Sequence, residues 1–290
     1  MSKVIPKFRN RNSKTTLPTL KGTQIPGRFL EVIGDQIDEY NGGLNITDVS
    51  EIPDTKNIPI DDQHWIKIPD VACVFVDMTN STSLSATTHE RSTARAYQLF
   101  SGTAVRLFDA FEAPYIDVRG DGVFALFNHD QVYRALAAAV TFKTFAEKSF
   151  SPTIQARTGL NVGGHIGIDQ KTVLVRKLGL RRFGKRTDRQ NEVWAGKPVN
   201  MASKLASLAE AGELLVSDRY YDRITDDHAR LSCGCPGGRN VPLWSPVDVS
   251  SNPMFDFDVA WRLTSKWCET HGSEFCERIL GLERARAKAA

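Results

Sequence analysis

Apolar residues recur at helical spacing early in the chain, where Phe29, Leu30, Ile33 and Ile37 predict a helix from Gly27 to about Tyr40. Asn41-Gly42-Gly43 stops it. Residues 1–25 carry Lys7, Arg9, Arg11, Lys14, Pro18 and Gly22 among few large apolar groups, the pattern of a solvated basic arm. Residues 51–63 are rich in Pro and Asp and read as a connector. The pattern then changes. Val71-Ala72-Cys73-Val74-Phe75-Val76 is a continuous apolar run, which predicts a buried strand. A polar stretch, 77–82, follows it, and then a long helix over about 90–111. Residues 115–117 and 123–127 read as two strands around the tight turn Arg119-Gly120-Asp121-Gly122, a hairpin signature. A helix covers about 131–148. The glycine-studded stretch 158–168 and the stretch 172–178 predict two more strands. After a basic loop at 181–189, Pro198-Val199-Asn200-Met201-Ala202 opens a helix to about residue 209; a strand at 214–217 and a short helix at about 218–224 follow. Residues 282–290 read as an exposed helix end. Strands and helices in this order imply an α+β fold with helices on a mixed sheet. The chain divides into a basic arm and helical extension (1–65), a central α+β domain (66–225) and a C-terminal extension containing Cys and His (226–290).

Composition narrows the classes. The 290 residues are 41% hydrophobic and 24% charged, enough for a packed core and unlike a disordered chain. A net charge of +3 does not call for nucleic acid or a membrane as partner. No stretch approaches the roughly 20 consecutive apolar residues of a membrane span. The first residues carry charge with no apolar run behind them, unlike a signal peptide. Five scattered cysteines fit free thiols in a reducing cytoplasm.

Two carboxylates stand where chemistry can use them. Asp77 ends the buried strand, and Asp121 sits in the hairpin turn. If the strands are neighbours the two heads converge, and converging carboxylates hold Mg²⁺ or Mn²⁺ together with substrate phosphates. Each has an ordinary reading alone: Gly-Asp-Gly is a common hairpin turn, and Asp often caps a helix. The third element is the segment from Trp194 to Lys204, in which Asn200 and Lys204, four apart, share one helix face.

In this order the three segments resemble the class III adenylate/guanylate cyclase catalytic domain. Val74 through Thr82 is similar to the strand bearing that family's first metal aspartate, and Gly120-Asp121 followed by Val123–Phe127 to the second. Arg157-Thr158-Gly159-Leu160 with Gly163, Gly164 and Gly167 is similar to its glycine-studded strand, and Gly196 through Leu205 to the segment bearing the transition-state Asn and Arg. The resemblance covers about residues 70–224. It implies a mainly antiparallel, ferredoxin-like palm. It implies two divalent ions, Mn²⁺ or Mg²⁺, held by Asp77, Asp121 and the backbone carbonyl of Met78. The ribose 3′-oxygen of a nucleoside triphosphate would attack the α-phosphorus and release pyrophosphate. Asn200 would orient the ribose. Lys204 stands where the family has Arg, keeping the charge without the planar fork. The family also implies a homodimer with two shared active sites.

The base-reading positions depart from the family. Adenylate cyclases carry Lys four residues before the second metal Asp, and Asp seven residues before the transition-state Asn; here those places hold Asp117 and Val193. A carboxylate cannot donate to adenine N1. Guanylate cyclases carry Glu and Cys, so GTP stays open on Asp117 alone. Tyr115, Arg119 and Trp194 would narrow the pocket around a small pyrimidine, with Arg119 and Tyr115 donating and Asp117 accepting; Tyr115 and Trp194 read equally well as core packing. The whole chain resembles the pyrimidine cyclases of the bacterial Pycsar antiphage system, which implies UTP, then CTP, as substrate and a separate effector that reads the cyclic product. A degenerate cyclase-like binding domain is the competing class. A diguanylate-cyclase-like polymerase lacks support, since Arg119-Gly120-Asp121-Gly122-Val123 has no second acid.

Two features fall outside this frame. The loop 181–189 offers Arg and Lys that could reach a triphosphate, or is simply a solvated hairpin tip. Cys233-Gly234-Cys235-Pro236 and Cys268-x-x-His271 could pair as zinc ligands, although Cys-x-Cys is not a usual zinc-knuckle interval. Free thiols are the other reading.

Overall fold

The computed structural model describes residues 25–60, 63–179 and 190–289, with side chains through 283. Two long strands organise it: β2 (His64–Met78) and β5 (Gly164–Gly179). They pair antiparallel from Ile66↔Val175 to Met78↔Gly164, with one register shift between Ile68 and Val71. Asp70, at φ +48°, absorbs that shift. β1 (Asn45–Asp48) runs parallel to the first half of β2. The hairpin β3 (Tyr115–Arg119) and β4 (Gly122–Phe127) joins its second half through β4. β6 (Gln190–Gly196) pairs with the second half of β5, and β7 (Leu214–Ser217) runs parallel to its first half. β8 (Trp244–Asp248) and β9 (Val259–Leu263) continue the same sheet, giving the order β3-β4-β2-β5-β7-β9-β8.

Strand alternation sends successive side chains to opposite faces. Ala72, Val74 and Val76 of β2 with Val123, Ala125 and Phe127 of β4 form one apolar face. On it lie α3 (Glu90–Ala110), whose Ala96, Phe100, Ala104 and Phe108 recur every four residues, and α4 (Val132–Phe145). Phe100 meets Phe142 edge-on at 5.0 Å, a favoured aromatic geometry. A π-turn (Ala146–Phe150) leads from α4 into α5 (Ser151–Thr158). The C-terminal helix α9 (Gly272–Ala289) packs on α4, burying Ile279 and Glu283. The opposite sheet face carries Cys73, Tyr115, Phe124, Val173 and Trp194 and is only partly covered, chiefly by α6 (Lys197–Leu208). α1 (Gly27–Tyr40), α2 (Ser81–Thr87), α7 (Asp218–Tyr221) and α8 (Asp227–Arg230) complete the helices named here. Among the described residues no helix is long and apolar enough to cross a membrane.

The architecture is the mixed, mostly antiparallel sheet with helices that the sequence implies, with local corrections. The stretch 158–163 is not strand: α5 ends at Thr158, and Gly159 at φ +74° turns the chain. The expected strands 158–168 and 172–178 are one strand, β5. β6 has no clear alternation and forms as a partner for β5. The helix end expected at 282–290 belongs to a helix that begins at Gly272, and its Glu283 is buried rather than exposed. The basic loop 181–189 lies outside the described residues.

Candidate active site

Asp77 stands at the end of β2 on the partly covered face, two residues beyond Phe75. β4 lies directly alongside β2, with Val76 opposite Val123. The next position on β4 is Gly122, and its approach is so close that an added Cβ would lie 2.8 Å from the Phe75 ring and 3.2 Å from Asp77 Oδ1. The turn carrying Asp121 therefore sits beside Asp77. Asp77 is about a quarter exposed, with its side chain at 28%. Among the described residues no hydrogen bond or ion pair holds the Asp121 carboxylate. Met78 points its side chain to the other face, into the core, leaving only its backbone available to this end of the sheet.

A residue that the motifs did not single out completes this end. His165 of β5 pairs in register with Asp77. Its Nδ1–H donates to the Ala209 carbonyl at 3.1 Å, which turns Nε2 toward Asp77 Oδ2 at 3.4 Å. Nε2 is buried with no hydrogen-bond partner. A lone pair and a carboxylate repel at that distance, so a cation between them would relieve the contact. The only sequence trace of His165 is a polar residue inside the glycine-studded stretch. The adjoining turn is tightly held: Thr79 Oγ1 accepts from Gly163 N at 2.7 Å, and Asn80 Nδ2 donates to the Asn161 carbonyl at 2.8 Å.

The base-side candidates occupy the same sheet face, because Tyr115, Asp117 and Arg119 alternate along β3. Asp117 and Arg119 form an ion pair at 2.6 Å. Tyr115 is buried, its ring 4.6 Å from that of Trp194 and 5.9 Å from that of Phe124. Burial pushes the Tyr115 hydroxyl up to about 12, so it stays protonated at neutral pH. A depression of about 360 Å³ opens on this face, lined among others by Phe75, Arg119, Val193, Trp194, Asn200 and Ser203. The structure thus gathers Arg119, Val193, Trp194 and Asn200 around one depression. Tyr115 backs Trp194 from within the core.

α6 reaches this depression because β5 leaves it room. An added Cβ on Gly167 would lie 2.0 Å from the Ala202 carbonyl oxygen and 2.5 Å from Ala206 N, so only glycine lets the helix seat on the strand. Lys204 is not brought to the depression: its Nζ donates to the Met254 carbonyl at 2.8 Å. The 254–257 segment is pinned along this helix by Asp256, which pairs with Lys197 at 2.6 Å and with Arg219 at 3.0 Å. Arg219 also grips the fully buried Asp169 through two bonds of 2.7 and 2.6 Å.

The family model of the adenylate and guanylate cyclase catalytic domain matches residues 65–236. A protein of Micromonospora echinofusca named uridylate cyclase is 35% identical over 262 residues, covering 89% of this chain and 84% of its own. One of Propioniciclava tarda with the same name is 39% identical over 227 residues, covering 77% and 72%. Among solved structures, the guanylyl cyclase Cya2 superposes with a TM-score of 0.53 at 18% identity, covering 68% of this chain and 92% of that one. The adenylyl cyclase CyaB from P. aeruginosa gives 0.54 at 17%, covering 71% and 97%. At such identities these two speak for the fold alone. Proteins of this family bind nucleoside triphosphates and generally use divalent metal ions. With the family model spanning more than half of the chain, this protein belongs to the adenylate and guanylate cyclase catalytic-domain family and is a nucleotide cyclase.

Proposed function

We propose that this chain cyclises UTP to 3′,5′-cyclic UMP and pyrophosphate, as a homodimer with shared active sites. The observation that carries the base assignment is the Asp117–Arg119 ion pair, whose Arg119 lines the depression and whose Asp117 stands at the position where adenylate cyclases carry a lysine. The pair sets a carboxylate acceptor beside a guanidinium donor. Uracil offers one N–H donor between two carbonyl acceptors, and so matches an acceptor flanked by donors. The names of the two relatives support the same reading. Trp194, stiffened from behind by Tyr115, supplies a flat wall for a single-ring base.

Two aspartates and the Met78 backbone carbonyl supply the oxygen donors that hard divalent cations take, and the orphaned His165 Nε2 facing Asp77 leaves room for a cation beside that carboxylate. Two such ions, Mn²⁺ or Mg²⁺, when bound, neutralise the triphosphate and lower the pKa of the 3′-hydroxyl. Asn200, which with the depression it lines comes from the copy opposite the two aspartates, orients the ribose so that its 3′-oxygen faces the α-phosphorus in line with the leaving pyrophosphate. The new 3′-O–P bond forms as the bond from the α-phosphorus to the β-phosphate oxygen breaks, and the hydroxyl proton is released. Lys204 contributes charge to the leaving phosphates once its ammonium exchanges the Met254 carbonyl for them. The product acts as a second messenger for a separate effector in antiphage defence.

The test is product analysis by mass spectrometry with ATP, GTP, CTP and UTP offered separately, with Mn²⁺ or Mg²⁺, beside the Asp77→Ala, Asp121→Ala and Arg119→Ala variants. Cyclic UMP from the wild type, lost in both aspartate variants and weakened in Arg119→Ala by raised KM, is the expected result. Cyclic GMP or cyclic CMP as main product overturns the base assignment and leaves the cyclase chemistry standing.

A further inference from the structure

Outside the cyclase site, the fold gathers four side chains of a different chemistry. Cys233, Cys235, Cys268 and His271 place their sulfur and nitrogen atoms all within 4.8 Å of one another. Cys235 Sγ lies 3.2 Å from His271 Nδ1. We propose that these four residues bind one structural Zn²⁺ per chain.

The ligand set is three thiolates and an imidazole, closed at four, which is the composition of structural zinc centres. A tetrahedral ion with Zn–S near ~2.3 Å and Zn–N near ~2.0 Å needs ligand atoms roughly 3.5–3.8 Å apart. The four atoms already approach that spacing and need to close by only about 1 Å. Three thiols crowded at a partly exposed surface have little packing reason to be there, since free cysteine is ordinarily a buried residue.

Both ligand pairs come from loops held by other bonds, so the site is prearranged. On one side, Leu231 bridges Pro242, Ser232 N donates to the Val241 carbonyl at 2.8 Å, and Val241 N donates to Ser232 Oγ at 3.0 Å. Gly234, at φ +85°, turns the chain between the two cysteines, so the short Cys-x-Cys interval is no obstacle here. On the other side, Trp267 N donates to Thr144 Oγ1 at 3.1 Å and its indole N–H to Thr141 Oγ1 at 2.8 Å, while Lys266 pairs with Glu147 at 2.8 Å. These bonds fasten the Cys268 loop to α4. His271 immediately precedes α9. The ion would tie the 231–243 loop to the start of that helix, over an apolar cavity of about 340 Å³ lined by Leu136, Val140, Trp244, Phe275 and Ile279.

The spacing 233/235 and 268/271 shares no residue with the carboxylate end, so the two metal sites separate by mutation. Zinc would be measured by elemental analysis of protein purified without chelator, in wild type, Cys233→Ser, Cys268→Ser, His271→Cys and Asp77→Ala. The expected result is one equivalent in wild type, His271→Cys and Asp77→Ala, and background in the two serine variants. Because a serine variant could fail to fold, folded wild type is also titrated with a mercurial in the presence of a zinc-sensing dye, and exchanged with Co²⁺. Zinc release in step with thiol blocking, and a tetrahedral thiolate–cobalt spectrum, support the site. Wild type without zinc and without that spectrum overturns it. So does an intact mass two hydrogens low, which would mean a disulfide, or zinc that leaves with Asp77→Ala.

Discussion

Replacing Gly167 by alanine tests whether the seat of α6 on β5 controls catalysis. The new methyl would start 2.0 Å from the Ala202 carbonyl oxygen, 2.5 Å from Ala206 N and 2.9 Å from Leu205 Cβ, against a practical minimum of 3.0 Å for such contacts. Two of the three atoms are backbone, so no side chain can swing away. The helix must lift from the sheet by about 1 Å, or the strand must recede by as much. Gly196 at the helix start is itself hemmed in, its own Cβ position lying 2.9 Å from the Thr172 carbonyl oxygen, so the movement passes along α6 to Asn200. Overpacking of this kind costs about 1–3 kcal/mol, and backbone contacts place it at the upper end. At roughly 2–4 °C per kcal/mol, Tm falls by about 5–10 °C. A displacement of about 1 Å at a positioning group costs on the order of 10²-fold in kcat. The assay is cyclic nucleotide formation with saturating triphosphate and metal, beside a thermal melt. Gly102→Ala serves as the control, since its Cβ meets nothing within 4 Å. It should keep activity and gain slightly in stability. A Gly167→Ala protein that melts within a degree or two of wild type and turns over at its rate would refute the argument.

Three further outcomes follow from the geometry. If the aspartates and Asn200 act across a dimer, inactive Asp77→Ala and Asn200→Ala proteins should complement on mixing: half the dimers are mixed, each with one intact site, so activity returns to about a quarter of wild type. No recovery after confirmed subunit exchange places both groups in one chain's site. Arg219→Leu leaves the Asp169 carboxylate buried and unpaired, and should cost about 3–5 kcal/mol in denaturant unfolding; a loss under 1 kcal/mol would mean that water reaches Asp169. Burial raises the Glu283 carboxyl to about 7, against the pull of Arg134, so the folded protein binds a proton there that the unfolded chain has lost. Stability from this group is therefore full below about pH 4.5 and declines as pH rises toward 7, by up to about 3 kcal/mol. Glu283→Gln removes that decline, and its melting advantage over wild type should grow from pH 5 to pH 8; a constant difference would contradict the assignment.

What the sequence determined by itself was carried by short-range pattern. The apolar run 71–76, the four-residue stripe of α3 and the Gly-Asp-Gly turn each state their local structure, because alternation, helical repeat and turn chemistry act between near neighbours. Asp77 and Asp121 stand out as candidates for the same reason: each ends a readable element, and the family resemblance orders them. Tertiary structure decided the rest. β6 is polar at Gln190, Asn191 and Glu192, and is a strand only because β5 offers it a ladder. β8 and β9 had no clear signal, yet they extend the sheet beyond residue 225. His165 became a candidate when register set it opposite Asp77, and Lys204 turned to Met254 because Asp256 anchors a loop beside it. The Cys-x-Cys interval spoke against a metal until the chain fold brought Cys268 and His271 to it. Such facts depend on which distant segments share a wall of the core, and that is set by burial and backbone pairing over the whole chain rather than by any window of it.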